Sequence, residues 1–213
     1  MIYAYDKVYL EKARVSLARM LDFAVYDLHY DIKVFFDMFI NSGIATRFEK
    51  GDFRIIAGKS GIELAYDVAE LSGDDKRDIE PRFTANRSEE YWAGWALAYF
   101  QWESGLSFAE IIKYISIKDI LSLYNPYHEM DIRQFADKMK DLYKSAKPDT
   151  NLKIIRTKLK LTQKELSELS GISVRTIQQY EQRQKNINKA QAEYLVMLSK
   201  VLYCTVEDLL EYV

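Results

Sequence analysis

The chain has 213 residues, 48% hydrophobic and 29% charged, which excludes a disordered chain and suits one large domain or two small ones. Its 30 Lys plus Arg against 32 Asp plus Glu leave a net charge of −2, its one cysteine, Cys204, excludes an internal disulfide, and its two histidines leave little for a zinc site. No run of about 18 uncharged apolar residues offers a transmembrane helix, and the opening Met1-Ile2-Tyr3-Ala4-Tyr5-Asp6-Lys7 lacks the basic start and apolar stretch of a signal peptide. A cytoplasmic protein without metal or cofactor is expected. Three prolines and eight glycines favour helices over turn-rich β architectures.

Taken in order, the pattern predicts a long amphipathic helix from about Tyr5 to Leu28, then one opened by Asp31 and running through Phe35, Phe36 and Phe39 to Asn41. Phe53 to Ala57 reads as a short strand. Ser60 caps a helix to Leu71, and the charged, Pro81-containing stretch Gly73 to Arg87 reads as a mobile loop. Ser88 caps a helix through Trp102. Ser107-Phe108-Ala109-Glu110 has the form of a capping box, and Asp131 opens a helix reaching about Ala146. Trp92, Trp95, Tyr99 and Trp102 share one helix face. Core is favoured over a stacking platform for bases, because no basic residue interleaves between Glu89 and Glu103.

Charge and aromatic content both change near residue 150. Residues 1 to 150 carry 20 basic against 25 acidic side chains, and residues 151 to 213 carry 10 against 7. All three Trp, all ten Phe and twelve of sixteen Tyr fall in the first part, so the two parts need differently built cores. Lys147-Pro148-Asp149-Thr150 marks the boundary, since Pro148 disfavours helix at Lys147 and Thr150 can cap a helix starting at Asn151. Within the tail, residues 152 to 189 hold nine basic side chains against Glu165, Glu168 and Glu181, the footprint of a nucleic-acid reader or of a protein that meets an acidic partner.

Five helices are predicted there. The first, Leu152 to Leu159, carries Leu152, Ile155 and Leu159 on one face. Thr162-Gln163-Lys164-Glu165 is a capping box for the second, which turns Leu166 and Leu169 inward and stops at Gly171. Ser173 caps the third, Val174 to Gln182, with Val174, Ile177 and Tyr180 as its inner side. The fourth runs from about Lys189 to Leu202, and Thr205 caps the fifth. The short Gly-containing connection between second and third makes a helix-turn-helix.

The stretch Leu161-Thr162-Gln163-Lys164-Glu165-Leu166-Ser167, with Gly171-Ile172-Ser173, Thr176-Ile177 and Tyr180-Glu181, resembles the Cro and phage-repressor type of helix-turn-helix regulator. Spacing and caps predict an all-α chain with an aromatic-rich N-terminal helical domain, residues 1–147, and the resemblance, which spans about residues 151 to 212, implies that residues 148–213 form a five-helix, lambda-repressor-like domain. It further implies that the third helix of that domain enters the major groove of double-stranded DNA and that two copies bind a palindromic operator. Arg175 and Gln179 would then reach base edges and Val174 a thymine methyl, while Gln163, Ser173, Thr176, Arg183 and Lys185 would meet phosphates. Arg156 and Glu181 match a structural ion pair of related repressors. Where the family often has Gly two residues after that Glu, this chain has Arg183, so the following loop is expected to close differently.

The N-terminal part offers no catalytic constellation. Gly58-Lys59-Ser60 lacks the earlier glycine of a phosphate loop, His128-Glu129 lacks the second histidine of a zinc helix, and Cys204 reads as a buried thiol. The phrases Tyr91 to Leu97 and Tyr127 to Phe135 are similar to an N-terminal region of bacterial helix-turn-helix regulators, some in toxin–antitoxin-like gene pairs. The sequence therefore predicts a transcriptional repressor, dimeric and not an enzyme. The alternative is an antitoxin that neutralises a partner toxin through residues 1–147 and autoregulates through the tail.

Overall fold

The computed structural model describes residues 3–82 and 87–211 and is all-α, with no strand among the described residues. The chain divides into two compact units, Met1–Lys147 and Pro148–Val213. The first holds α1 (Leu10–Tyr26), α2 (Ile32–Asn41), α3 (Ile44–Glu49), α4 (Phe53–Ile56), α5 (Gly61–Leu71), α6 (Glu89–Ser104), α7 (Phe108–Tyr114), α8 (Ile117–Ser122), α9 (Tyr124–Tyr127) and α10 (Ile132–Ala146). The second holds α11 (Asn151–Lys158), α12 (Gln163–Ser170), α13 (Val174–Glu181), α14 (Ala192–Leu202) and α15 (Val206–Leu209).

In the N-terminal unit, α1 packs along α6 and against α5. Glycines set how close they come. A Cβ on Gly94 would lie 2.7 Å from the Leu17 carbonyl oxygen, and one on Gly61 would lie 2.4 Å from that of Ser16, so backbone meets backbone at both crossings. The core beneath is phenylalanine-rich: Phe36, Phe39, Phe48 and Phe108 are fully buried and pack mostly edge to face, with centroids 5.5 to 6.2 Å apart. Each such ring contributes about 1.5–3 kcal/mol through burial.

Capping residues place the helix starts. Asp31, Ser60, Ser88, Ser107 and Asp131 each accept an amide hydrogen bond from the first turn that follows. Four expectations are corrected. A 3-10 turn, Lys7–Tyr9, precedes α1, which starts at Leu10 rather than Tyr5. Phe53–Ile56 is a helical turn capped by Asp52, not a strand. Glu110 does not complete a capping box, because its carboxylate accepts from Tyr143 Oη at 2.6 Å. The segment Gly73–Arg87 is non-helical where described but tied down: Tyr66 Oη donates to the Ile79 carbonyl, Tyr30 Oη to Asp74 at 2.5 Å, and the Arg82 amide to Asp27 at 2.8 Å. Residues 83–86 of that segment lie outside the described residues.

The aromatic stripe of α6 also divides. Trp92 and Trp102 are buried, Trp92 edge-on to Tyr124 and Phe135, whereas Trp95 and Tyr99 are half-buried. His128 stacks on Tyr124 and its Nδ1 lies 2.9 Å from the Tyr124 carbonyl oxygen, a structural placement. Cys204 is half-buried rather than buried, and burial raises its thiol pKa.

The C-terminal unit closes on Leu152, Leu166, Ile172, Ile177, Tyr180, Ile187, Leu195, Leu198, Leu202 and Leu209. Leu159 and Leu169, expected inside, are 42% and 62% exposed. The inner edge of α12 runs instead from Leu166 to Ser170, one full turn on, and the Ser170 hydroxyl donates to the Leu166 carbonyl at 2.6 Å. Val174 is half-buried, and α14 starts at Ala192, after a 3-10 turn over Ile187–Lys189.

Candidate nucleic-acid interface

The turn between α12 and α13 is built from small residues and caps. Thr162 and Glu165 exchange both hydrogen bonds of a capping box. The cap amides hold the Glu165 carboxyl below the usual carboxylate range. Gly171 ends α12 with φ +72°, a backbone that an L side chain adopts only at a cost. Ser167 Oγ donates to the Ile172 carbonyl at 2.6 Å, closing the turn over a residue small enough to allow it. Ser173 then caps α13, its hydroxyl accepting from the Thr176 amide at 3.2 Å and lying 2.9 Å from Thr176 Oγ1.

One face of α13 is anchored. Ile177 and Tyr180 enter the core, and Glu181 is buried against Arg156. The guanidinium is held along one edge, Nε to Oε1 at 2.6 Å and Nη2 to Oε2 at 2.9 Å, while Nη1 donates to the Leu161 carbonyl at 2.6 Å. The hydrogen bond to Glu181 raises the Arg156 pKa further. Gln163, at the start of α12, donates from Nε2 to Glu181 Oε2 at 2.7 Å and accepts from Gln178 at 3.3 Å. The N-terminus of α12 is thereby fixed to the C-terminal turn of α13.

Sequence reasoning missed the roles of Gln163 and Gln178 in this network. Gln178 and Glu181 stand three residues apart on one helix face, which was the available signal.

The other face of α13 is open. Arg175 is exposed, Thr176 and Gln179 are half-buried, and neither the Arg175 guanidinium nor the Gln179 amide has a hydrogen-bond or ion-pair partner among the described residues. Arg175 and Gln179 stand one helical turn apart, so both project from the same side. Lys185 is exposed in the loop that follows.

Arg183, expected at a phosphate, is engaged elsewhere. Its Nε and Nη2 donate to Glu211 at 2.8 and 3.2 Å and its Nη1 to the Pro148 carbonyl at 2.9 Å, so it ties the start of the unit to its end. It also takes φ +54°, a left-handed backbone that glycine adopts most readily.

No helix among the described residues is long and apolar enough to cross a membrane. No curated protein and no solved structure matches the chain. Residues 152–209 match the family described as helix-turn-helix, of the Cro/C1 type, and that span runs through α11 to α15. The match supports a transcription regulator that binds double-stranded DNA.

Proposed function

We propose that the protein is a cytoplasmic, sequence-specific repressor that lays α13 in the major groove, two copies of the chain occupying a palindromic operator. The observation that carries this reading is the open face of α13. Arg175 and Gln179 stand one helical turn apart with no side-chain partner among the described residues, on a helix whose opposite face is pinned by Ile177, Tyr180 and the Arg156–Glu181 pair. An Arg suits guanine O6 and N7, and a Gln suits adenine N6 and N7. Val174 meets a thymine methyl. Ser173 and Thr176 at the N-terminal end of α13, the backbone amide of Gln163 at that of α12, its side chain being held by Glu181 and Gln178, and Lys185 in the loop face phosphates, where free amides and the helix dipole favour negative charge.

One such module covers few base pairs, so useful specificity requires two. Residues 148–213 form the DNA-binding domain in this reading, and residues 1–147 dimerise or bind a partner protein. The test is binding of the full chain to its upstream DNA across a salt series. Affinity should fall steeply, by about 0.9 decade per neutralised phosphate for each decade of salt. A flat response overturns the reading.

A further inference from the structure

The C-terminal unit carries an open groove that the DNA-reading face leaves unused. It encloses about 410 Å³ and is lined by Leu159 and Leu161 where α11 turns into α12, by Leu169 of α12, and by Lys200, Val201 and Tyr203 at the end of α14. Leu159 and Leu169 are the two leucines that helical spacing expects inside and the fold leaves exposed. Tyr203 is 90% exposed and closes α14 at φ +51°, a position where a helix end ordinarily takes Gly. Val196 and Met197, also exposed, stand one turn before Lys200 and Val201 and carry the apolar surface along α14. The charged lining residue is a cation, Lys200. Lys158 and Lys160 alternate in sequence with Leu159 and Leu161, and all three lysines are exposed with no ion-pair partner among the described residues. The acids of α12 are engaged, Glu165 in its capping box and Glu168 3.9 Å from Lys164.

We propose that this groove docks an acidic amphipathic helix of a partner protein, its bulky apolar side chains entering the groove and its carboxylates meeting Lys200, Lys158 and Lys160. A cavity of about 150 Å³ accepts a benzene-sized group, so the volume suits two or three such side chains. No strand edge exists among the described residues for an extended peptide to join, whereas an apolar groove between helices takes anchors spaced along one helix face. Nucleic acid is disfavoured because phosphates gain nothing from a leucine floor, and a two-fold contact with a second copy would bring the same lysines together. Ser167 closes the turn toward α13, and Leu169, two residues on, points about 200° away round α12. A guest in the groove therefore leaves Arg175 and Gln179 free, and each face can be tested without the other.

The test titrates the full chain, without DNA, into fluorescently labelled helical peptides of about 15 residues. One carries Leu at i, i+3, i+4 and i+7 flanked by Glu, a second has Lys in place of Glu, and a third has Ala in place of Leu. The Glu/Leu peptide should bind saturably and more weakly as salt rises, the Lys peptide should bind about tenfold less tightly or worse, and the Ala peptide should not bind. Leu169→Asn, at an exposed position, should leave the unfolding midpoint in place and weaken the Glu/Leu peptide by about tenfold. Lys200→Glu should reverse the preference between the two charged peptides, and the methyl signals of Leu159, Leu161 and Val201 should shift on binding. Absence of saturable binding, equal binding of the two charged peptides, or undiminished binding by Leu169→Asn would overturn the proposal. So would a Lys200→Glu variant that loses duplex DNA but keeps the peptide, the mark of a nucleic-acid surface, or a Leu169→Asn variant that turns a dimer into a monomer, the mark of an interface between copies.

Discussion

Replacing Glu181 by Ala removes three hydrogen bonds at once, two from Arg156 and one from Gln163. The side chains of Arg156 and Glu181 are 10% and 2% exposed, so the surviving cation keeps only the Leu161 carbonyl and little water. Breaking a buried pair in this way costs about 3–5 kcal/mol. A unit the size of Pro148–Val213 has a total stability of only about 3–10 kcal/mol, at roughly 0.05–0.15 kcal/mol per residue. The variant should therefore lose much or all of the fold of its C-terminal unit.

The chain provides its own control, because all three Trp lie in the N-terminal unit. In a urea titration, Trp fluorescence should keep its midpoint while far-UV circular dichroism loses the helical amplitude of α11 to α15. The double substitution Arg156→Met with Glu181→Leu should recover most of the loss, since apolar groups of similar volume leave no stranded charge. A cost for Glu181→Ala below about 1 kcal/mol would mark the pair as screened like a surface bridge and refute the reasoning.

Other outcomes follow from the packing and the caps. Gly94→Ala places a Cβ 2.7 Å from the Leu17 carbonyl oxygen and 2.8 Å from the Ala18 Cα, so α1 and α6 must part. The Trp-reported midpoint should drop by the equivalent of about 1–3 kcal/mol, and an unchanged midpoint would contradict the crossing. Cap amides hold Glu63, Glu165 and Asp208 below the usual carboxylate range. Their folded pKa values lie under the unfolded ones, so their contribution is complete above about pH 4–5 and vanishes as pH falls through the folded values. Melting temperature should decline across that acid window, and Glu165→Gln should make the decline shallower. An equally steep decline in Glu165→Gln would separate the capping box from acid stability.

Much of the fold was legible because its signals are local. A Ser, Thr or Asp followed by an apolar run marks where amides need an acceptor, and Ser60, Ser88, Asp131, Thr162, Ser173 and Thr205 all cap helices. What failed either sat in segments too short for periodicity to decide or depended on partners distant in sequence. Phe53 to Ala57 has too few residues for periodicity to separate a helical turn from a strand, and Asp52 decides it. Glu110 has the right spacing for a capping box, but Tyr143 takes its carboxylate.

Leu169 follows Leu166 by three residues, yet the inner edge of a two-turn helix passes through Ser170, whose hydroxyl is satisfied within the turn. At the candidate site, the open face of α13 follows from helical spacing once Ile177 and Tyr180 are placed inside. Three placements did not follow from spacing: Arg183 on Glu211, Gln163 on Glu181, and the guanidinium that α1 lends to the Trp95 ring. Each joins side chains that only the tertiary fold brings together.

In the proposed function, the outward side chains of α13 choose the DNA sequence. Selection of preferred sites from randomised duplexes, run in parallel on the wild type, Arg175→Ala and Lys185→Ala, tests it most directly. Arg175→Ala should lose discrimination at one symmetry-related pair of positions, by about 1–3 kcal/mol per bidentate contact, and Lys185→Ala, at an exposed loop position, should weaken all sequences while keeping the same preferred site. An identical preferred site and identical discrimination in Arg175→Ala would contradict the account.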